Sequence, residues 1–379
     1  MERKFWTISI FIGLLCLLVF ILSIYSQLEL PKPSGSYTVG RRVFRWVDPS
    51  RPELLTEDPN DVREVIAMVW YPAQAETGVK AAYFPSLSSV SDALMQSGEA
   101  EWWQVFGLRF VRSESPLEAS PRRDQNVFPV LLLSPGNGTN IEFYSSLAGE
   151  IASHGYIVVG INHPYDVAAV ELSNGTVAPY DKDQWSLEPS AHQVYSTERM
   201  KVRVADLLFA LEQLEQLNTS GPFAGTMNLD SVAVAGHSLG GIAASETCKA
   251  DARFKACLNY DGLQRGGPFS MEETAIPPDQ PFMFITKESQ LHPKLIESFE
   301  STAESYWVVL HGASHQSFTD GPLLQPSLLP GRNRADQFMD LIQEYSIAFL
   351  NHTLKGQPAE LLSKTVEQED VLVRVFPSN

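Results

Sequence analysis

The sequence predicts an α/β fold with a mainly parallel central sheet and helices on both faces. Three observations carry that prediction. From residue 127 onward, short apolar runs alternate with longer amphipathic ones, the pattern of repeated strand–helix–strand units. The apolar run Val232, Ala233, Val234, Ala235 breaks at Gly236-His237-Ser238-Leu239-Gly240 and resumes as a stretch of small residues that reads as a helix. Finally, Ser238, Asp261 and His315 each fall just past the end of an expected strand, so they gather on one edge of the sheet.

The chain has 379 residues, 44% of them hydrophobic, enough for a large core in one catalytic unit with insertions. A net charge of −17 with no basic stripe excludes nucleic acid as a partner class. Residues 5–25 are almost wholly apolar and follow Glu2, Arg3 and Lys4. A helix of that length crosses a bilayer core of about 30 Å. No small-residue cleavage site follows it, so residues 1–28 are expected to form an uncleaved signal anchor, a single transmembrane helix. The balance of flanking basic residues gives a weak preference for a catalytic domain outside the cytoplasm. Residues 29–62 are read as a linker and an edge strand, and residues 63–379 as the catalytic domain.

Within that domain, residues 63–71 form a strand ended by Pro72. Regular signals fade around residues 82–125, which are taken as an insertion. That stretch contains Trp102 and Trp103 beside Val105, Phe106 and Leu108. Two readings stay open: a helix packed on the body, or a flap that lines the acyl pocket or touches lipid. Residues 127–134 are a buried strand running into Pro135-Gly136-Asn137-Gly138. A helix over 141–154 and a strand over 156–161 follow, then His163 and Asp166, read as loop hydrogen-bonders in preference to residues bordering the site. A long helix spans 191–217 and precedes Ser238. Three further strands cover 256–260, 281–286 and 306–310, and a last helix covers 336–351. Cys248 and Cys257 flank a helix-to-strand connection. They are expected as buried free thiols, with a disulfide as the alternative. No cysteine spacing resembles a zinc site, and no metal ligand set is expected.

Gly-x-Ser-x-Gly between a strand and a helix is the context of the nucleophile elbow of α/β-hydrolases. There the turn forces the serine into a strained conformation, which small flanking residues permit. A hydroxyl needs a base to become a nucleophile, and the base needs a carboxylate to hold its tautomer. His315 lies in a late loop among small residues, free to reach Ser238. His237 is read as a helix-packing or pocket-lining residue. The acid is either Asp261, one strand after Ser238, or Glu288, one strand later.

The chain resembles the platelet-activating factor acetylhydrolase family, the lipoprotein-associated phospholipase A2 and type II group of α/β-hydrolases. The matching pieces run in order from about residue 65 to 354. They include Val69-Trp70-Tyr71-Pro72, Ser134-Pro135-Gly136-Asn137-Gly138, Gly236-His237-Ser238-Leu239-Gly240-Gly241, Asn259-Tyr260-Asp261-Gly262 and Gly312-Ala313-Ser314-His315-Gln316-Ser317-Phe318. The resemblance implies Ser238, Asp261 and His315 as the triad, with backbone N–H donors at Leu239 and Asn137. It implies a calcium-independent lipid esterase, without cofactor, that removes short or oxidised acyl groups. The family's Ser-His-Gly-Leu-Gly stands here as residues 134–138. Two alternatives are carried: a broad carboxylesterase or polyester-cleaving enzyme on the same triad, and a catalytically silent membrane-tethered binding protein.

Overall fold

The computed structural model describes residues 11–13, 28–74, 79–98, 101–123, 127–262, 279–287, 299, 304–325 and 331–376. In chain order the first half contains β1 (Thr38–Pro52), β2 (Val62–Ala73), β3 (Lys80–Ala82), α1 (Leu87–Ser97), α2 (Trp102–Leu108), β4 (Arg112–Pro116), β5 (Phe128–Ser134), α3 (Ser145–Ser153), β6 (Ile157–Asn162), β7 (Ala169–Glu171) and β8 (Val177–Pro179). The second half contains α4 (Pro189–Thr219), β9 (Met227–His237), α5 (Leu239–Ala250), β10 (Phe254–Tyr260), β11 (Phe282–Lys287), β12 (Ser305–Leu310), α6 (Arg332–Lys355), β13 (Val366–Glu367) and β14 (Val371–Phe376).

Among the described residues the main sheet runs β1-β2-β6-β5-β9-β10-β11-β12-β14-β13. The block from β6 to β12 is parallel, and both flanks are antiparallel. Parallel strands are covered on both faces, and their side chains alternate between the two. Leu131, Leu133, Ala233 and Ala235 point to the face holding Leu147, Ile151, Phe338 and Ile342 of α3 and α6. Val130, Leu132, Val232 and Val234 point to the face holding Leu207, Leu211, Ala243 and Ala244 of α4 and α5. From β5 the chain proceeds to β6 on one side, and from β9 to β10 on the other. The adjacent ends of β5 and β9 are therefore the switch point where such sheets open a crevice.

Several expectations are corrected. Cys248 and Cys257 are a disulfide and not free thiols, with Cα atoms 6.4 Å apart. The reason is that α5 folds straight back onto β10, which brings the end of the helix over the middle of the strand. Burial argued for thiols, but proximity decides. After α6 the chain returns through β13 and β14 to extend the sheet, an addition absent from the sequence reading. Residues 29–35, read as part of a linker, are hydrogen-bonded to the body. The Ser34 N–H donates to Glu150 Oε2 at 2.7 Å, the Gly35 N–H to Ser153 Oγ at 3.0 Å, and Arg332 Nη2 to the Glu29 carbonyl at 3.2 Å.

The expected membrane segment lies outside the described residues, apart from residues 11–13, which are helical. Among the described residues no helix is long and apolar enough to cross a membrane. Residues 80–116 form the β3–β4 ribbon and carry α1 and α2, whose inner side packs Phe84, Leu87, Val90, Leu94, Val105 and Leu108 around Leu28. Trp102 and Trp103 stand on the outer side of α2, 68% and 50% exposed.

Candidate active site

Ser238 sits between β9 and α5 with φ +55° and ψ −122°, a region that costs a non-glycine residue on the order of 1–3 kcal/mol. The glycines on either side make the turn sterically feasible. A Cβ on Gly236 would overlap the Gly240 carbonyl, and a Cβ on Gly240 would overlap the carbonyls of Ser134 and Pro135. The Ser238 N–H donates to the Tyr260 carbonyl at 2.9 Å, which fastens the elbow to the end of β10.

Asp261 follows β10 with φ +50° and is fully buried. Its N–H donates to the Ile285 carbonyl at 2.8 Å. Its Oδ1 accepts Thr286 Oγ1–H at 2.8 Å, and Lys287 Nζ stands 4.0 Å from Oδ2. His315 opens a short 3-10 turn after β12, capped by Ser314. Its Nδ1 donates to Asp261 Oδ2 at 2.6 Å, and its Nε2 lies 2.9 Å from Ser238 Oγ. The carboxylate fixes the proton on Nδ1, so Nε2 presents a lone pair to the serine hydroxyl. Ser238, His315 and Asp261 are thus brought into one relay. Glu288, the other acid considered, lies outside the described residues.

The loop after β5 lies against the nucleophile: a Cβ on Gly136 would come within 3.4 Å of Ser238 Cβ. Within this loop the Gly136 N–H donates to Tyr144 Oη at 3.0 Å and the Gly138 N–H to the Asp166 carbonyl at 2.8 Å. Among the described residues no protein acceptor takes the N–H of Asn137 or that of Leu239, the first residue of α5. Both belong to elements bordering Ser238. The Asn137 side chain is turned away, donating to Tyr180 Oη at 2.9 Å.

His237 lines no open surface; it is 2% exposed. Tyr144 Oη donates to its Nδ1 at 2.8 Å, its ring centroid is 4.5 Å from that of His315, and it stacks on Phe318. Burial, with the neighbouring His315 adding to it, holds His237 well below the ordinary histidine range, so it stays neutral. Trp102 and Trp103 belong to α2, on its outer side.

Sequence reasoning missed Thr286, Tyr144 and the inward charges of α4. Thr286 had a signal, a hydroxyl at a strand tip one strand beyond the acid. Arg199, Arg203 and Asp206 had one too, as charges recurring on one stripe of an otherwise core-facing helix. His163 and Asp166, read as loop hydrogen-bonders, join that group: His163 Nδ1 donates to Asp206 Oδ2 at 2.8 Å, and Arg199 grips Asp166 through both oxygens at 2.8 and 3.0 Å.

The model of the family described as platelet-activating factor acetylhydrolase, isoform II, matches residues 22–370. The chain belongs to this family. A probable 1-alkyl-2-acetylglycerophosphocholine esterase of Arthroderma benhamiae (strain ATCC MYA-4681 / CBS 112371) is 30% identical over 251 residues, covering 63% of this chain but only 60% of that protein's own length. The platelet-activating factor acetylhydrolase of Canis lupus familiaris is 23% identical over 380 residues, covering 92% of this chain and 81% of that one. Among solved structures, a ferulic acid esterase from Streptomyces cinnamoneus superposes with a TM-score of 0.69 at 24% identity, covering 89% of this chain and 96% of the other. That likeness bears on the fold alone. Family membership supplies a context for the relay, whose geometry stands independently of it.

Proposed function

We propose that this chain is a serine ester hydrolase acting on lipids, most specifically on glycerophospholipids with a short or oxidised acyl group at the second position. The observation that carries the chemistry is the unbroken relay from Ser238 Oγ through His315 to Asp261, at 2.9 and 2.6 Å, on a serine held at φ +55°. His315 Nε2 takes the Ser238 proton as Oγ attacks the ester carbonyl. Asp261 keeps the ring in the required tautomer and stabilises the imidazolium. The N–H groups of Leu239 and Asn137 receive the oxyanion. His315 then protonates the leaving alcohol and activates the water that releases the acyl group. Because the imidazole generates the nucleophile and backbone dipoles hold the charge, no step calls for calcium. The lipid part of the reading rests on family membership and on the names of the fungal and canine relatives.

The same reading puts the catalytic domain outside the cytoplasm on a single span formed by residues 5–25. The apolarity of that segment supports it. So does the Cys248–Cys257 disulfide, a bond that persists in oxidising compartments. Trp102 and Trp103 would face the lipid, since α2 packs on the cluster that receives Leu28, the residue from which the chain leads back toward the span.

The test is a panel of soluble esters and short- and long-acyl phospholipids, with and without a calcium chelator, on the wild type and on Ser238→Ala. The expected result is chelator-insensitive cleavage favouring short second-position acyl groups, reduced on the order of 10⁴-fold or more in Ser238→Ala. Undiminished hydrolysis by that variant defeats the reading.

A further inference from the structure

The loop that borders Ser238 is held by a buried polar layer that takes no part in the hydrolysis. Its glycines at 136 and 138, the latter at φ +72°, leave the chain free to wander. A donor aimed at a developing oxyanion is useful only if it is already in place when the charge appears. Each peptide plane around Asn137 is in fact pinned. The plane joining Pro135 to Gly136 is held at both ends: its carbonyl accepts Arg203 Nη1–H at 2.7 Å, and its N–H donates to Tyr144 Oη at 3.0 Å. The plane joining Asn137 to Gly138 is held by its N–H on the Asp166 carbonyl at 2.8 Å. Arg203 Nη2 donates to that same Asp166 carbonyl at 3.4 Å. One guanidinium thereby spans both ends of the loop. The plane between them carries the Asn137 N–H and is held only through its carbonyl, which accepts the Thr139 N–H at 3.3 Å.

We infer that Arg203 is a positioning residue for the oxyanion donor at Asn137, acting as a buried bridge between the Pro135 and Asp166 carbonyls; this rests on the esterase reading above. Arg203 is fully buried, and so are the groups that hold it in place. Arg199, one turn earlier on α4, fixes the Asp166 carboxylate, and Arg203 Nε lies 3.5 Å from Asp166 Oδ2. On the same stripe of α4, Asp206 fixes His163, whose Nε2 lies 3.0 Å from Oγ of Ser134, the residue that leads into the loop. A planar fork with several donors is what such a bridge requires; an ammonium cannot reach both carbonyls in plane.

The test is Arg203→Met in the full chain, measured per active site by titration with a fluorophosphonate. We expect kcat on a soluble nitrophenyl ester to fall about 10²-fold, the scale set by a misplaced oxyanion donor, with KM within about twofold. The affinity for a trifluoromethyl ketone, which binds as a tetrahedral adduct on Ser238, falls by the same factor. Inhibition by the free alcohol product, which offers no oxyanion, stays unchanged. A purely structural role lowers the melting temperature and the number of titratable sites but leaves kcat per site as it was, and that outcome overturns the inference. Should Arg203→Met not fold, Arg203→Lys decides, because it keeps the buried charge but cannot span both carbonyls: about tenfold lower kcat per site with KM kept supports the inference, and unchanged kcat per site overturns it. Failure of the esterase reading itself shows differently, as a wild type that neither turns over esters nor takes the fluorophosphonate.

Discussion

Ser238–His315–Asp261 and Ser134–His163–Asp206 place the same three side chains in the same order at nearly the same spacings. The distances are 2.9 and 2.6 Å in the first and 3.0 and 2.8 Å in the second. The two nevertheless differ in everything around the relay. Ser238 stands on a strained turn against a loop with an uncommitted N–H, whereas Ser134 ends β5 as an ordinary strand residue. The His315 side chain is 23% exposed and His163 is sealed. Asp261 answers mainly to His315 and the Thr286 hydroxyl, while Asp206 is gripped by Arg63 through both oxygens and by Arg51 at 2.8 Å. A carboxylate so thoroughly paired has little left for an imidazolium. Burial, together with the nearby Arg203 charge, lowers His163 to about 4 despite the opposing pull of Asp206. Relay distances alone therefore do not make a nucleophile. Backbone strain, access and unspent donors and charge separate the reactive relay from the structural one.

The widest separation between the two is expected at the carboxylates. Asp261→Asn reverses the tautomer of His315 and lowers kcat on the order of 10⁴-fold with the fold intact. Asp206→Asn acts instead on stability, because it takes from the buried Arg63 the carboxylate that grips it at two points and leaves it only its ion pair with Glu53. The expected cost is about 3–5 kcal/mol of unfolding free energy, with kcat of the folded fraction nearly kept. Kinetics per titrated site and denaturant unfolding on both variants check this. A large kcat loss per site in Asp206→Asn, matched to Asp261→Asn, breaks the distinction.

Acid separates the relays next. His163 is held neutral down to about 4, whereas the unfolded chain protonates it near the ordinary value of 6.5. The unfolded state thus binds more protons between those values, so stability is full above that window and is lost as pH falls through it. By pH 5 the loss from His163 amounts to about 2 kcal/mol. His163→Gln keeps hydrogen-bonding groups for Ser134 and Asp206 and cannot titrate. The stability gap between wild type and this variant should therefore narrow by about that amount from pH 7.5 to pH 5. A gap constant with pH in denaturant unfolding shows that His163 is not the titrating group.

How far the two relays were legible beforehand follows from what marks them in the chain. The reactive one carries local signs: glycines around Ser238, a strand before and a helix after, and Asp261 and His315 just past strand ends. The sheet order turns those positions into contacts. The buried one carries almost none, because Ser134, His163 and Asp206 come from a strand tip, a loop and a helix interior. Only the charges recurring along α4 hint that this helix buries more than leucines. Burial likewise failed to signal the Cys248–Cys257 bond, which depends on how α5 folds back on β10. The choice between Asp261 and Glu288 stayed open on spacing alone, because both are strand-end carboxylates; Asp261 meets His315 at 2.6 Å, and Glu288 lies outside the described residues.

If access is what divides the relays, changing the approach to Ser238 should alter activity on some substrates and spare others. Trp102 and Trp103 are the place to try. They stand largely exposed on α2, whose inner side is secured by Val105 and Leu108 in the cluster that also receives Leu28. Side chains that expose this much ring lose less packing when removed than fully buried ones do. Indole rings do favour the boundary between water and lipid, where ring and N–H are both satisfied. Replacing both with alanine should lower activity on aggregated phospholipid about tenfold, the equivalent of losing about 1.4 kcal/mol of interfacial binding. Activity on a soluble nitrophenyl ester should stay within about twofold, since the Ser238 relay is untouched. The melting temperature should hold as well. Equal losses on both substrates, with a lowered melting temperature, would show that α2 supports the body and that lipid reaches Ser238 by another face.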